Sequence, residues 1–474
     1  MEANPFKEFA YIPTEPVLTP LAKPESQGLS PTLNQGQQTA YDAILAGSSI
    51  FLTGPGGTGK SFLINTLYND VPEKTGKKVA LTALTGCAAL LLHHKAKTIH
   101  SWAGIGLGRD PVPLLIANAR KSRRAKTNWM NTDVLVIDEV SMMTPDLFEK
   151  LDQVGRALRR NPHAPFGGMQ IVLVGDFFQL PPIPDAGPVS FLFESSLWAS
   201  MDLRTYELTE YVRQKEEVFQ KVLEEARRGE LTKRSLKILA RRMGLDYSKE
   251  AIQPTMLFTR RAQVDLINMS HLKKLIDDNT TERHAYKATT TFNSKTILEP
   301  TELVQKGVAK LDYEAAYSPE LILARGAQVM LITNVAPEKG LVNGSRGVVV
   351  RFEEGDVHTP VVLFRNGKEY PITHATWELP DMPGIKRQQI PLRLAYAITI
   401  HKAQGATLDC ALIDVGSRTF EVGQAYVALS RVKDLEGLYI HDLDPAAFMA
   451  SEKVKAFYAA AKAAAKAKAK AQTV

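Results

Sequence analysis

Ser49–Tyr68, SIFLTGPGGTGKSFLINTLY, is the stretch on which the fold turns. An apolar strand-like run, Ser49–Thr53, leads straight into Gly54-Pro55-Gly56-Gly57-Thr58-Gly59-Lys60-Ser61, which opens the helix-like FLINTLY. The octapeptide matches G-x-x-x-x-G-K-[ST] in full. Its glycines let backbone N–H groups converge on phosphate oxygens, and the helix N-terminus adds positive potential. In that pattern Lys60 reaches the β- and γ-phosphates and the Ser61 hydroxyl ligates Mg²⁺. A lone Gly-rich turn with a chance Lys-Ser lacks this strand-loop-helix setting.

Downstream, Val134-Leu135-Val136-Ile137-Asp138-Glu139 supplies the second half of such a site. A buried strand delivers Asp138 to the metal, and Glu139 can act as base toward an attacking water. A third apolar strand ends in Gly175-Asp176-Phe177-Phe178-Gln179-Leu180-Pro181-Pro182, where Gln179 can sense a γ-phosphate; a Pro-terminated loop is the plainer reading. Arg213 in ELTEYVRQ and Arg431 in AYVALSRV sit among aromatic and apolar residues. That setting suits cationic fingers on a nucleotide held in a cleft, worth about 10³–10⁵ in rate. Thr399–Thr407, TIHKAQGAT, sets polar and small residues after another apolar run, suited to phosphate or nucleic-acid backbone contact or to a helix cap.

Short apolar runs at Ser49–Thr53, Lys78–Thr82, Val134–Asp138 and Gln170–Gly175 alternate with helix-like stretches, which implies a parallel sheet covered on both faces. A first α/β unit is expected over 32–205, with a small insertion near 95–130, and a second over 206–324 and 385–442. Between them, 325–384 changes to short β-runs. Val361–Phe364 and Lys368–Ile372 flank Asn366-Gly367, a hairpin signal in which both turn residues take positive φ. Residues 1–31 carry six prolines and read as an extended leader; 443–474 closes the chain as a Lys/Ala-rich tail.

The 474 residues are 44% hydrophobic and 23% charged, an ordinary globular composition sized for several domains. No apolar run is long enough to cross a bilayer, no secretory signal opens the chain, and Cys87 and Cys410 are too few for a disulfide framework. An intracellular setting without membrane partners is expected. Of the net charge of +7, six lysines against Glu452 place +5 beyond Ala450, leaving +2 for the rest. Nucleic-acid binding must therefore be argued from sites and not from pI. The tail itself reads as a tether that orders only beside a polyanion.

Taken in order, LNQGQ with Gln37, GPGGTGKS, LTALTGCAA with TIHSWAGIGLG, VIDEVSMM, GDFFQLPP, ELTEYVRQ, TIHKAQGATLD and YVALSR resemble the superfamily 1B helicases, specifically the Pif-one subfamily, with RecD and Dda helicases as cousins. Pro165-Phe166-Gly167-Gly168, within Asp146–Pro182, resembles that subfamily's own signature. The resemblance spans about Leu33 to Asp442. It implies an α/β fold of two RecA-like motor domains, an inserted SH3-like β-barrel module and a wedge near His100–Gly108. It implies an ATP-dependent DNA helicase moving 5′ to 3′ on single-stranded DNA and unwinding forked or tailed duplex, active as a monomer. Single-strand-stimulated remodelling without unwinding is the alternative; a P-loop phosphotransferase leaves the two arginines without a role. By the same resemblance Gln37 reads the adenine, while Lys60, Ser61, Asp138, Glu139, Gln179, Arg213, Gly405 and Arg431 surround the triphosphate. Thr85, His100, Ser101, Thr259, His401, Lys402 and Thr407 match single-strand contacts. Arg260-Arg261 departs from the pattern, since relatives often carry Asn there. The absence of a long N-terminal regulatory region fits a minimal bacterial or phage-like enzyme.

Overall fold

The computed structural model describes residues 32–472, apart from 94, 184–186, 248–251, 278–279, 293–300, 315–316, 337–338, 340, 342, 356, 379–384, 417–418 and 420. The expected leader, 1–31, lies outside the described residues.

In the first lobe β1 (Ile50–Thr53), β2 (Val79–Ala83), β3 (Lys97–Thr98), β4 (Val134–Asp138), β5 (Gln170–Val174) and β6 (Arg204–Glu207) form one parallel sheet, ordered β3-β2-β4-β5-β1-β6. β1, β4 and β5 are buried throughout, as parallel strands covered on both faces must be. Alternate side chains feed two cores: Ile50, Leu52, Val134, Val136, Val172 and Val174 enter one, while Phe51, Leu135, Ile137, Ile171 and Leu173 enter the other. The expected boundary at 205 falls inside β6. Its pairing with β1 assigns it to the first lobe, a long-range contact that its exposed pattern did not announce. Between β3 and β4, helices Ile99–Ala103, Val112–Lys121 and Arg123–Asn131 build the expected insertion. Trp102 and Trp129 pack there at 4.7 Å, and the Trp129 indole N–H donates to the Ala103 carbonyl.

The second lobe begins with helices Glu217–Arg228 and Lys233–Ala240, then β7 (Thr255–Phe258) and helix Arg261–Asp277. The chain then leaves the lobe through β8 (Arg283–Lys287), β9 (Thr289–Phe292), β10 (Glu320–Ala324), β11 (Gln328–Leu331), β12 (Arg346–Glu353), β13 (Thr359–Phe364), β14 (Glu369–Pro371), β15 (Ala375–Glu378), β16 (Ile385–Gln389) and β17 (Leu392–Leu394). It re-enters with β18 (Ala397–Thr399), β19 (Ala411–Val415) and β20 (Leu438–Leu443), giving a parallel sheet ordered β18-β7-β19-β20. The insertion is thus wider than 325–384, since β8–β10 and β16–β17 pair within it. Its main sheet is antiparallel, β14-β13-β12-β11-β17, with a register shift between Val349 and Arg351. The expected hairpin forms, but only Gly367 has positive φ; the longer loop needs one left-handed residue where a two-residue turn needs two.

Helix Glu452–Gln472 overturns the expected free tether. It follows the second lobe but docks on the first, with Val454 fully buried in the core of Phe51 and Phe177 and with Phe457 and Tyr458 packed against it. Phe457 meets the rings of Phe193 at 4.5 Å and Phe177 at 5.4 Å, and Tyr458 stacks on Phe178 at 5.0 Å. Lys453 pairs with Glu194 at 2.6 Å and Lys455 with Glu230 at 3.2 Å. Apolar burial against the first lobe orders these turns. Charge alone could not predict this, because three apolar residues in a Lys/Ala context leave no long periodic stripe.

Candidate active site

The loop 54–59 leaves β1 and turns into helix Lys60–Thr75, with Gly54, Gly57 and Gly59 at positive φ. At Gly57 a Cβ would lie 2.4 Å from the Gln214 Oε1, so the approach of the second-lobe side requires glycine. Asp138 ends β4 and Gln179 follows β5, so all three elements sit at the carboxyl ends of neighbouring strands, where open α/β sheets hold their ligands. Glu139 adopts φ 57° and ψ 39°, a left-handed conformation that only surrounding contacts sustain in a non-glycine residue.

A cavity of about 270 Å³ is lined by Gly56, Gly57, Gly59, Lys60, Ser61, Phe62, Asp138, Glu139, Gln179, Val212, Arg213, Gly405, Thr407 and Arg431. Residues scattered over the whole chain thus meet in one cleft. Lys60 Nζ donates to the Gly54 and Pro55 carbonyls at 2.6 and 2.9 Å, and burial lowers its pKa against the opposing pull of Asp176, Glu139 and Asp138. Burial, then the charge of Glu139, pushes the Asp138 carboxyl up to about 7. Arg213 donates to the Ser430 carbonyl at 2.9 Å; burial and then Arg431 lower its pKa to about 9. Arg431, 2% exposed, is lowered by burial as well, and donates to Val427, Ala403 and Ala406 carbonyls. Two desolvated guanidiniums beside a P-loop make a strong anion site.

Several expected positions fall elsewhere. Gly54, Pro55 and Thr58 shape the loop without lining the cavity: the first two offer their carbonyls to Lys60, and Thr58 Oγ1 donates to Pro55 O. Gln37 also stays off the lining. Its Oε1 accepts from the Asn34 N–H in a capping box at the start of helix Gln35–Leu45, while its Nε2 donates to the Thr58 carbonyl and so ties that helix to the loop. Thr407, expected on the DNA strand, lines the nucleotide cavity, because it lies two residues beyond Gly405 on the same loop. Thr85 and His100 line a separate groove of about 500 Å³ with Leu107, Arg109, Met142 and Lys150. Ser101 does not; its N–H caps onto Thr98 Oγ1. Thr259 follows β7, and His401 and Lys402 follow β18, two paired strands of the second lobe. His401 lies 3.4 Å from Glu421.

The motifs also missed residues that join the lobes. Asp176, fully buried, accepts from Arg227 at 2.9 and 3.0 Å and from Tyr426 and Tyr458 hydroxyls at 3.3 Å. The Tyr426 hydroxyl in turn accepts from the Gly56 N–H at 2.8 Å. Gly423 passes so close to the Gln179 loop that a Cβ would lie 2.5 Å from the Phe178 carbonyl oxygen. Gln404 Nε2 donates to Glu139 Oε2 at 2.8 Å. Asp176, Tyr426 and Gln404 lay inside motifs already marked, whereas Arg227, Gly423 and Tyr458 lay in none.

Two parallel α/β lobes that bring a P-loop, Asp-Glu carboxylates, a glutamine and paired arginines to one cavity define a two-lobed α/β protein of the P-loop class. The sequence matches the PIF1-like helicase family over residues 32–240 and the Pif1 helicase 2B domain over 310–352. It is 39% identical to the human ATP-dependent DNA helicase PIF1 over 90% of this chain, and 38% identical to the rat protein over 97%. The aligned chain spans 64% of the length of the human relative and 68% of the rat one. Among solved structures, the Candida albicans Pif1 helicase is 34% identical and superposes with a TM-score of 0.75, covering 90% of this chain and 99% of that one. Pif1 from Bacteroides sp in complex with ADP-AlF4 is 28% identical with a TM-score of 0.72, covering 92% and 98%. The chain belongs to the PIF1-like helicase family.

Proposed function

We propose that the chain is an ATP-dependent DNA helicase that moves 5′ to 3′ on single-stranded DNA and unwinds duplex. The observation that carries this reading is the cavity built from both lobes, with Lys60, Ser61, Asp138, Glu139 and Gln179 on one side and Arg213, Gly405 and Arg431 on the other. ATP bound there favours a closed cleft, and hydrolysis removes that bias; lobes that grip a strand with alternating strength then move along it. The relatives named ATP-dependent DNA helicase, a solved Bacteroides Pif1 bound to single-stranded DNA and a solved Pif1 structure of unwinding at forked duplex support the substrate class. The direction rests on the family resemblance of the motif series.

Mg²⁺ fits the oxygen donors present. The Ser61 hydroxyl and the Asp138 carboxylate would hold it, and it would supply charge neutralisation to a bound triphosphate. Within the chain, Lys60 steadies the phosphates, Glu139 takes the proton of the attacking water, Gln179 orients that water, and Arg213 and Arg431 meet the charge that develops. Thr85 and His100 on the first-lobe groove, with Thr259, His401 and Lys402 at the second-lobe strand ends, are the proposed strand contacts; Ser101 is kept as a lesser one. Gln37 acts on the adenine through the loop end it braces. One copy carries both halves of the nucleotide site, which supports activity as a monomer; the solved Pif1 structure at forked duplex is described as two coordinating helicases.

The test is strand displacement from duplexes with opposed tails, run beside ATPase with and without single-stranded DNA. Displacement from a 5′ tail and DNA-stimulated hydrolysis are expected. Stimulated hydrolysis without displacement from any tail would select the remodelling alternative.

A further inference from the structure

The second lobe reaches the first lobe's reacting groups through one side chain that the motif roles leave unassigned. Gln404, 5% exposed, follows the short helix Ile400–Ala403, immediately after His401 and Lys402 and before Gly405. Its Nε2 lies 2.8 Å from Glu139 Oε2 and 3.4 Å from Gln179 Oε1. A carboxylate only accepts, so the amide NH₂ must be the end that faces Glu139. Its buried Oε1 has no hydrogen-bond partner among the described residues. The segment around it is seated on Arg431, which donates to the carbonyls of Ala403 and Ala406 on either side. Glu139 itself stands in a left-handed backbone conformation, so its side chain depends on contacts like this one.

Building on the proposed helicase function, we propose that Gln404 is a positioning residue for hydrolysis. By holding one oxygen of Glu139 it leaves the other to face the attacking water, and by touching Gln179 it registers base and sensor to each other. Because the amide belongs to the loop that carries His401 and Lys402, the seating of that loop sets the register. Strand occupancy is thereby transmitted to the base through a side chain four bonds long. Gln404 is not among the residues that line the cavity.

Gln404→Ala removes the amide, and Gln404→Glu keeps the shape while replacing the donor by a second carboxylate. Both should lower kcat at saturating ATP and poly(dT) by roughly 10- to 100-fold, the range expected when reacting groups are misplaced by about 1 Å. The KM for ATP, the Kd for poly(dT) and the melting temperature should stay near wild-type values. An unchanged kcat in both variants overturns the proposal. So does a loss of kcat matched by equal losses in KM and Kd, which marks a purely structural role. Wild-type hydrolysis that poly(dT) fails to stimulate overturns the helicase reading together with this coupling. Stimulated wild-type hydrolysis with unaffected variants overturns the coupling alone.

Discussion

Tyr458→Phe tests the docking of the C-terminal helix with the fewest side effects, because it deletes one oxygen and leaves the ring in place. That hydroxyl shares a 2.6 Å hydrogen bond with Thr53 Oγ1, accepts from the Phe177 N–H at 3.1 Å and donates to Asp176 at 3.3 Å. Asp176 keeps Arg227 and Tyr426, so its loss is small. Thr53, fully buried, and the Phe177 N–H each lose a partner. An unsatisfied buried polar group costs about 1–3 kcal/mol, and partial access of water to the half-buried tyrosine argues for the lower end, about 2 kcal/mol in all. For a cooperative unit of lobe size that is a drop in Tm of about 4–8 °C. Urea titration and calorimetry read this directly. Truncation after Ala461 is the contrasting perturbation, since it removes Lys462, Lys466, Lys468 and Lys470 but none of the described residues packed on the first lobe. It should leave stability within about 0.5 kcal/mol. It should also flatten the salt dependence of single-strand binding, by up to about three units of slope if all four lysines engage phosphates. The reasoning fails if Tyr458→Phe melts with the parent, or if the distal truncation destabilises as much.

Lys60→Ala should abolish hydrolysis while the melting temperature and much single-strand binding persist, because it removes a phosphate contact; substantial DNA-stimulated ATPase in this variant would overturn the site. Arg213→Ala and Arg431→Ala should each lower kcat by roughly 10³ with far smaller effects on ATP binding. For Arg431, Arg431→Lys keeps the charge in its buried socket, and near-normal turnover in the alanine variants at saturating ATP and DNA would make these arginines structural. Unwinding should require a 5′ single-stranded tail on the loading strand, and efficient displacement from a 3′ tail alone would reverse the polarity. Replacing Arg283–Leu394 by a short linker should impair unwinding more than basal ATPase, since none of its described residues lines the cavity; equal loss of both activities would show that it holds the second lobe together.

The parallel-sheet core was legible because its signals are local. β4 occupies the residues expected of it, and β1, β2 and β5 agree to within a residue at each end, since buried strands of a doubly covered sheet read as short apolar runs. The P-loop lies in eight consecutive residues whose glycines and Lys-Ser carry their chemistry in the backbone itself. Lys60, Ser61, Asp138, Glu139, Gln179, Arg213, Gly405 and Arg431 were all marked and all line the cavity. The sequence by itself thus determined the fold class, the nucleotide chemistry and the family. Tertiary structure alone decided the extent of the insertion, the place of Thr407, the docking of Val454–Tyr458 and the joints between lobes. Tyr426 meets Gly56 across 370 residues, Tyr458 meets Asp176 across 282, and Gln404 meets Glu139 across 265. No periodicity or spacing encodes such pairs, because each is a product of how two separately folded sheets pack, and a hydrogen bond between distant residues leaves no local pattern in either.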